Sequence, residues 1–122
     1  MEYTIESDAE FLRVKVSGRD TDRPPSDVCA AVLEASARLG RLRILIELDQ
    51  EFPLSPASQF HLVTRLPDLG LTPQHSIALV HRKPDAQKAN EFIDVVATNR
   101  GLAVRNFPEV RDAKAWLRDR PA

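Results

Sequence analysis

Two short segments that are apolar nearly throughout constrain the fold of this chain more than any other feature. They are residues 43–48, with the sequence RILIEL, and residues 76–81, with the sequence SIALVH. A strand with one face in water alternates polar and apolar residues, whereas a strand covered on both faces does not need to alternate. Both segments are therefore predicted to be central, adjacent strands of a mainly parallel sheet.

The first part of the chain predicts a different kind of strand. Leu12, Val14 and Val16 alternate with polar residues, as expected of a strand with one buried face and one solvated face. Residues 3–7 alternate more weakly, and a short polar connection separates them from residue 12. We therefore expect the two segments to pair as an antiparallel hairpin at an edge of the sheet.

Helix signals separate the later strands. Apolar residues recur at three- and four-residue spacing before Gly40, between Pro56 and Pro67, before Gly101, and in residues 109–118. Ser55 and Pro56 form a strong start signal, with serine as the N-cap and proline at the first helical position. The predicted order is β-β-α-β-α-β-α-β-α, and strands alternating with helices favour right-handed βαβ units.

Composition limits the possible functions. The chain has 122 residues, enough for one domain spanning 1–122, and its net charge of −1 argues against a nucleic-acid partner. The single Cys29 cannot form an internal disulfide, which suits a cytoplasmic location, and no apolar run is long enough to span a membrane. With 4 glycines, the chain has no Gly-rich phosphate loop or dinucleotide fingerprint, so no cofactor is expected.

The histidines and serines offer little support for catalysis or metal binding. His75 and His81 lie at the two ends of one predicted strand, about 20 Å apart by the strand rise, so they cannot share a metal ion. Ser58 and His61 share one helix face and leave a hydrolase open as an alternative. That reaction also needs an oxyanion site and an orienting carboxylate, and no motif supplies either. We expect no catalytic residue, no metal site and no enzymatic activity.

The connection after the first interior strand is the strongest candidate for a site. In open parallel sheets, ligands and partners bind outside the carboxyl ends of strands, where helix N-termini present free N–H groups. The candidate interaction or ligand loop contains Asp49, Glu51, Phe52, Leu54, Ser55 and Ser58. Its two apolar side chains suit contact with a partner, but loop residues also fold back to cover a core, and the pattern leaves both readings open.

The end of the chain carries a resemblance to a known family. The segment Val104-Arg105-Asn106-Phe107-Pro108 is followed by Asp-Ala-Lys-Ala-Trp-Leu at residues 112–117. With the hairpin and the βα order, this ending resembles the SpoIIAA-like group of STAS-related domains. The resemblance implies a two-layer α/β sandwich with a mainly parallel sheet, an antiparallel edge hairpin and helices on one side. It also implies a non-enzymatic regulatory or interaction role.

Relatives in that group act as anti-sigma-factor antagonists through a phosphorylatable serine at the start of the helix that follows the second parallel strand. Ser55 occupies that place here, although the family's Asp-Ser-Ser-Gly-like run is replaced by Asp49 followed by five residues before the serine. Ser55 is thus the candidate phosphoacceptor, and its role as N-cap explains its presence equally well.

Other relatives look like carriers of small apolar ligands, which gives an alternative function. The ligand would lie in a cleft between helices and sheet, and the apolar residues available to line it are Phe52, Leu54, Phe60 and Phe92. We otherwise expect an unidentified protein partner, and a homodimer stays open. Trp116 and Leu117 are predicted to face inward from the last helix as core residues rather than ligand contacts.

Overall fold

The computed structural model describes residues 2–18, 25–50, 56–81 and 91–120. The strands are β1 (Glu2–Ser7), β2 (Leu12–Gly18), β3 (Arg43–Gln50), β4 (Ser76–His81) and β5 (Ala103–Phe107). The helices are α1 (Pro25–Leu39), α2 (Pro56–Arg65), α3 (Glu91–Asn99) and α4 (Val110–Asp119). This order within an α/β architecture is the predicted one.

One mixed five-stranded sheet organises these elements, in the order β1-β2-β3-β4-β5. The pair β1–β2 is antiparallel, and the other three pairs are parallel. The strands β3 and β4 are adjacent and each has a neighbour on both sides, so the prediction that they are central is confirmed. The hairpin at the edge is confirmed as well.

The turn between β1 and β2 depends on one carboxylate. Asp8 Oδ1 accepts hydrogen bonds from the backbone N–H groups of Glu10, at 2.8 Å, and Phe11, at 2.7 Å. These two bonds hold the pKa of Asp8 below its usual value, because they favour the ionised form. The turn thereby leads Phe11 into a buried position ahead of β2.

The helices α1, α2 and α3 cover one face of the sheet, here called the three-helix face. Each of them connects two adjacent parallel strands, and right-handed crossovers in one direction place such helices on the same face. Leu12, Val14, Ile44, Ile77 and Val104 are buried beneath them in the main apolar core.

The last helix, α4, packs on the opposite face, here called the α4 face. The expectation that all helices lie on one side of the sheet is wrong at this element. Leu45 and Val80 point away from the three-helix face, and α4 shields them from solvent. They form a second apolar cluster with Ala113 and Leu117 of that helix.

Two residues of the last helix differ in burial. Leu117 is fully buried, as predicted, whereas Trp116 is half-buried at the margin of the second cluster. Its ring lies 5.5 Å from the ring of Phe107, centroid to centroid, at a tilt of 47°. The prediction that Trp116 is a core residue is therefore corrected to a boundary position.

Candidate functional site

The parallel strands β2 to β5 all end at one edge of the sheet, here called the carboxyl edge. Near it, the register pairs Leu48 of β3 with His81 of β4. The chain leaves β3 after Gln50 and begins α2 at Pro56, so the candidate loop begins and ends at this edge. The predicted start of α2 at Pro56 is confirmed.

The described members of the predicted site, Asp49 and Ser58, are both exposed. Asp49 lies near the end of β3 and Ser58 in the first turn of α2, so the fold brings both to the carboxyl edge. The residues between them that were predicted to act, Glu51, Phe52, Leu54 and Ser55, lie outside the described residues.

Behind this edge stand buried polar side chains that the sequence analysis did not select. Gln59 of α2, His81 of β4 and Asn106 of β5 are all buried, and Gln59 is fully so. The signal for Gln59 was its place one turn before the buried Val63, on the apolar stripe of the helix. Polar residues on buried stripes are the informative exceptions to apolar patterning, because burying them requires hydrogen-bond partners.

Asn106 is fixed by a carboxylate of α3. Asp94 Oδ1 accepts hydrogen bonds from the backbone N–H of Asn106, at 2.8 Å, and from its side-chain Nδ2, at 2.9 Å. Burial raises the pKa of Asp94, and the two bonds from Asn106 oppose that rise. This pair connects α3 to β5 near the carboxyl edge.

His81 is uncharged near neutral pH. Its side chain is only 3% exposed, and burial lowers its pKa to about 4 because a charged imidazole would lose its hydration. A neutral imidazole offers one donor and one acceptor nitrogen, so His81 adds a polar but uncharged group at the carboxyl edge.

His75 lies at the other end of the same strand. It is buried, and its Nδ1 accepts a hydrogen bond from the backbone N–H of Thr72 at 3.0 Å. Burial lowers its pKa as well. Since a donor points at Nδ1, the neutral ring carries its proton on Nε2. His75 therefore stabilises the turn before β4, which is a structural role.

Ser58 and His61, the pair considered for a hydrolase, are both exposed on α2. The His61 ring lies edge-on to the ring of Phe60, with centroids 6.2 Å apart, and its backbone carbonyl accepts a bond from the Thr64 hydroxyl. Within the described ranges, no carboxylate contacts the His61 ring. The orienting group that the pair would need is thus not found among these residues.

The apolar residues considered for a ligand cleft do not converge where they are described. Phe60 is 43% exposed, and the guanidinium of Arg100 lies 5.4 Å above its ring. The side chain therefore lies on the outer surface of α2, and the expectation that it lines a cleft against the sheet is wrong. Phe52, Leu54 and the side chain of Phe92 lie outside the described residues.

Other chemistry finds little support in the part of the chain that is described. There, no three His, Cys, Asp or Glu side chains gather as a metal site would require. Burial raises the pKa of the Cys29 thiol to about 11, so the reactive thiolate does not form at neutral pH. None of the helices described is both long enough and apolar enough to cross a membrane.

Neither a protein-family model nor any curated protein matches this chain.

Proposed function

We propose that this protein is a non-enzymatic regulatory or interaction module of the SpoIIAA-like, STAS-related type, and that the loop from Asp49 to Ser58 is its working surface. The observation that carries the proposal is the setting of the loop. Its described ends, Asp49 and Ser58, are exposed, while their immediate neighbours on the inside, Leu48 and Gln59, are half-buried and fully buried. Each end of the loop is thus next to a residue that packs in the interior.

Two physical features support recognition at this place. The helix α2 begins at the carboxyl edge, so the positive end of its dipole lies there and favours an acceptor or an anion. The side chains behind the edge, Gln59 and His81, are polar and uncharged, so they impose no net charge on whatever binds in front of them. We therefore expect the partner or ligand that binds at the carboxyl edge to present a moderately polar surface.

The experiment is native mass spectrometry of the protein purified from the cells in which it occurs. The wild-type protein is expected to retain a bound protein or small molecule, Phe52→Ser to lose it, and Phe60→Ser to keep it. Phe60→Ser is the matched control because that side chain is already exposed on α2. A wild-type protein that carries nothing, or equal loss in both variants, contradicts the proposal.

The same spectra separate the alternatives. A retained apolar small molecule would identify a carrier instead, and the added mass of a phosphate lost in Ser55→Ala would identify the family's serine switch. The hydrolase has its own test. Conversion of a generic ester that disappears in His61→Ala would show that the protein is an enzyme and overturn the non-enzymatic reading.

A further inference from the structure

A groove of about 570 Å³ follows the outer edge of β5. Asp94 and Thr98 of α3 stand on one side of it, Trp116 of α4 and Arg120 just after that helix stand on the other, and residues 101–105 line it between the two helices. Because α3 and α4 lie on opposite faces of the sheet, the groove straddles the edge of the last strand. Its floor is therefore the backbone of β5.

Among the described residues, no strand pairs with the outer edge of β5. The N–H of Asn106 bonds to Asp94 rather than to β4, so it points to the open edge. Backbone groups of alternate strand residues point the same way, which puts the N–H and C=O of Val104 at that edge too. The N–H of Leu102 is already bonded to the carbonyl of Ala97. The open stretch is thus short and centred on Val104.

The α4 side of the groove is basic. The guanidinium of Arg105 lies 5.6 Å from the ring of Phe107, and that of Arg120 lies 5.6 Å from the ring of Trp116. Neither arginine forms an ion pair with any carboxylate in the described ranges. The half of the chain that supplies them, residues 62–122, has 10 basic and 7 acidic residues.

The α3 side differs in charge. Among the described residues that line this side, Asp94 carries the carboxylate, which accepts hydrogen bonds from Asn106, and Thr98 is neutral. A strand added to β5 would point alternate side chains to the two sides of the sheet. Acidic side chains would meet the arginines at every second position, and small uncharged ones would meet the α3 side.

We propose that this groove binds an extended, acidic peptide segment of a partner protein, which adds to β5 as a sixth strand centred on Val104. Main-chain hydrogen bonds supply affinity in such strand addition, and the alternate side chains supply specificity. A second copy of this chain fits less well, since pairing β5 with β5 would bring two sets of arginines together. The proposal concerns a different edge from the Asp49–Ser58 loop and does not depend on it.

The test is selection of short linear peptides from a random display library on the immobilised full-length protein. We expect enrichment of proline-free sequences with Asp or Glu at every second position. Their binding should fall at least tenfold for the variants Arg105→Glu and Arg120→Glu. The control Arg111→Glu reverses a charge that lies in the first turn of α4 and does not line the groove, and it should leave binding unchanged.

Hydrogen exchange then locates the bound peptide. The amide of Val104 is expected to become protected when the selected peptide is added, while a version with proline at its centre neither binds nor protects. Any one of four results overturns the proposal: no enrichment, enrichment of basic or proline-rich peptides, equal binding by Arg105→Glu, or pairing of two copies through β5 in solution. Thermal unfolding of each variant confirms that the fold is retained.

Discussion

At the scale of single residues, His81 shows how burial sets chemistry in this molecule. Its folded-state pKa is about 4, whereas an unfolded histidine titrates near 6.5. Between these values the unfolded chain binds a proton at this position and the folded chain does not, so the stability falls as the pH is lowered. The loss begins near pH 6.5 and is complete below the folded-state value.

We therefore predict that lowering the pH from 7 to 5 reduces the free energy of unfolding by about 2 kcal/mol through His81 alone. His81→Gln should lack that component, whereas His61→Gln, which alters an exposed ring, should keep it. Urea unfolding of the three proteins at both pH values measures the difference. An unchanged pH dependence in His81→Gln would show that the imidazole is not buried in its neutral form.

The neighbours Trp116 and Leu117 give a second prediction at this scale. Leu117 is 0% exposed in the second apolar cluster, so Leu117→Ala should cost about 2–5 kcal/mol. Trp116→Ala should cost less, although tryptophan is the larger side chain, because its ring is only half-buried. Denaturant unfolding of both variants measures the two losses in free energy of unfolding. A larger loss for Trp116→Ala than for Leu117→Ala would show that the Trp116 ring is a core residue.

At the scale of elements, β3 is the strand on which the packing of both faces depends. Leu45 is 0% exposed on the α4 face, and its neighbour Ile44 is 0% exposed on the three-helix face. Leu45→Asp should prevent folding, because an unpaired buried carboxylate costs several kcal/mol, comparable to the whole stability of such a domain.

The matched control for that prediction is Val95→Asp on α3, where the side chain is 55% exposed and the charge stays in water. Circular dichroism and size-exclusion chromatography distinguish a folded variant from an unfolded one. A cooperative, monodisperse Leu45→Asp protein would mean that α4 does not cover this face.

The elements also show what the sequence could predict and what it could not. Residues 76–81 were predicted as a strand from their apolar run, and β4 has those bounds because burial on both faces leaves a local pattern. No local pattern in the sequence shows on which face of the sheet α4 packs, since the apolar stripe of this helix could pack against either face. The face is set by the sheet itself, because Leu45 and Val80 point away from the other helices and pack against α4.

The same limit applies to the site. The place of the loop followed from the topology of parallel strands, and its described ends do lie at the carboxyl edge. The buried Gln59 and Asn106 were missed, because one polar residue on an apolar stripe is outweighed by its neighbours in any periodic pattern. Asp94 was missed because its partner Asn106 is 12 positions away in the chain.

At the scale of the whole molecule, the two candidate binding surfaces come from two halves of the chain that differ in charge. Residues 1–61 carry 7 basic and 11 acidic groups, and the remaining residues carry 10 and 7. The acidic half supplies the carboxyl-edge loop, and the basic half supplies the open edge of β5. The binding of an acidic peptide at β5 should weaken with added salt, because charges near the surface are screened, and a salt titration of peptide binding measures this.

We infer that the loop from Asp49 to Ser58 is a contact surface, and photo-crosslinking in the cells where the protein occurs tests this most directly. A benzophenone amino acid is placed at position 52 and, as the matched control, at position 95, which is exposed on α3. We expect crosslinks to a specific second molecule from position 52 and none from position 95. Crosslinks from position 52 only to this chain's own core, or the same products from both positions, would contradict it.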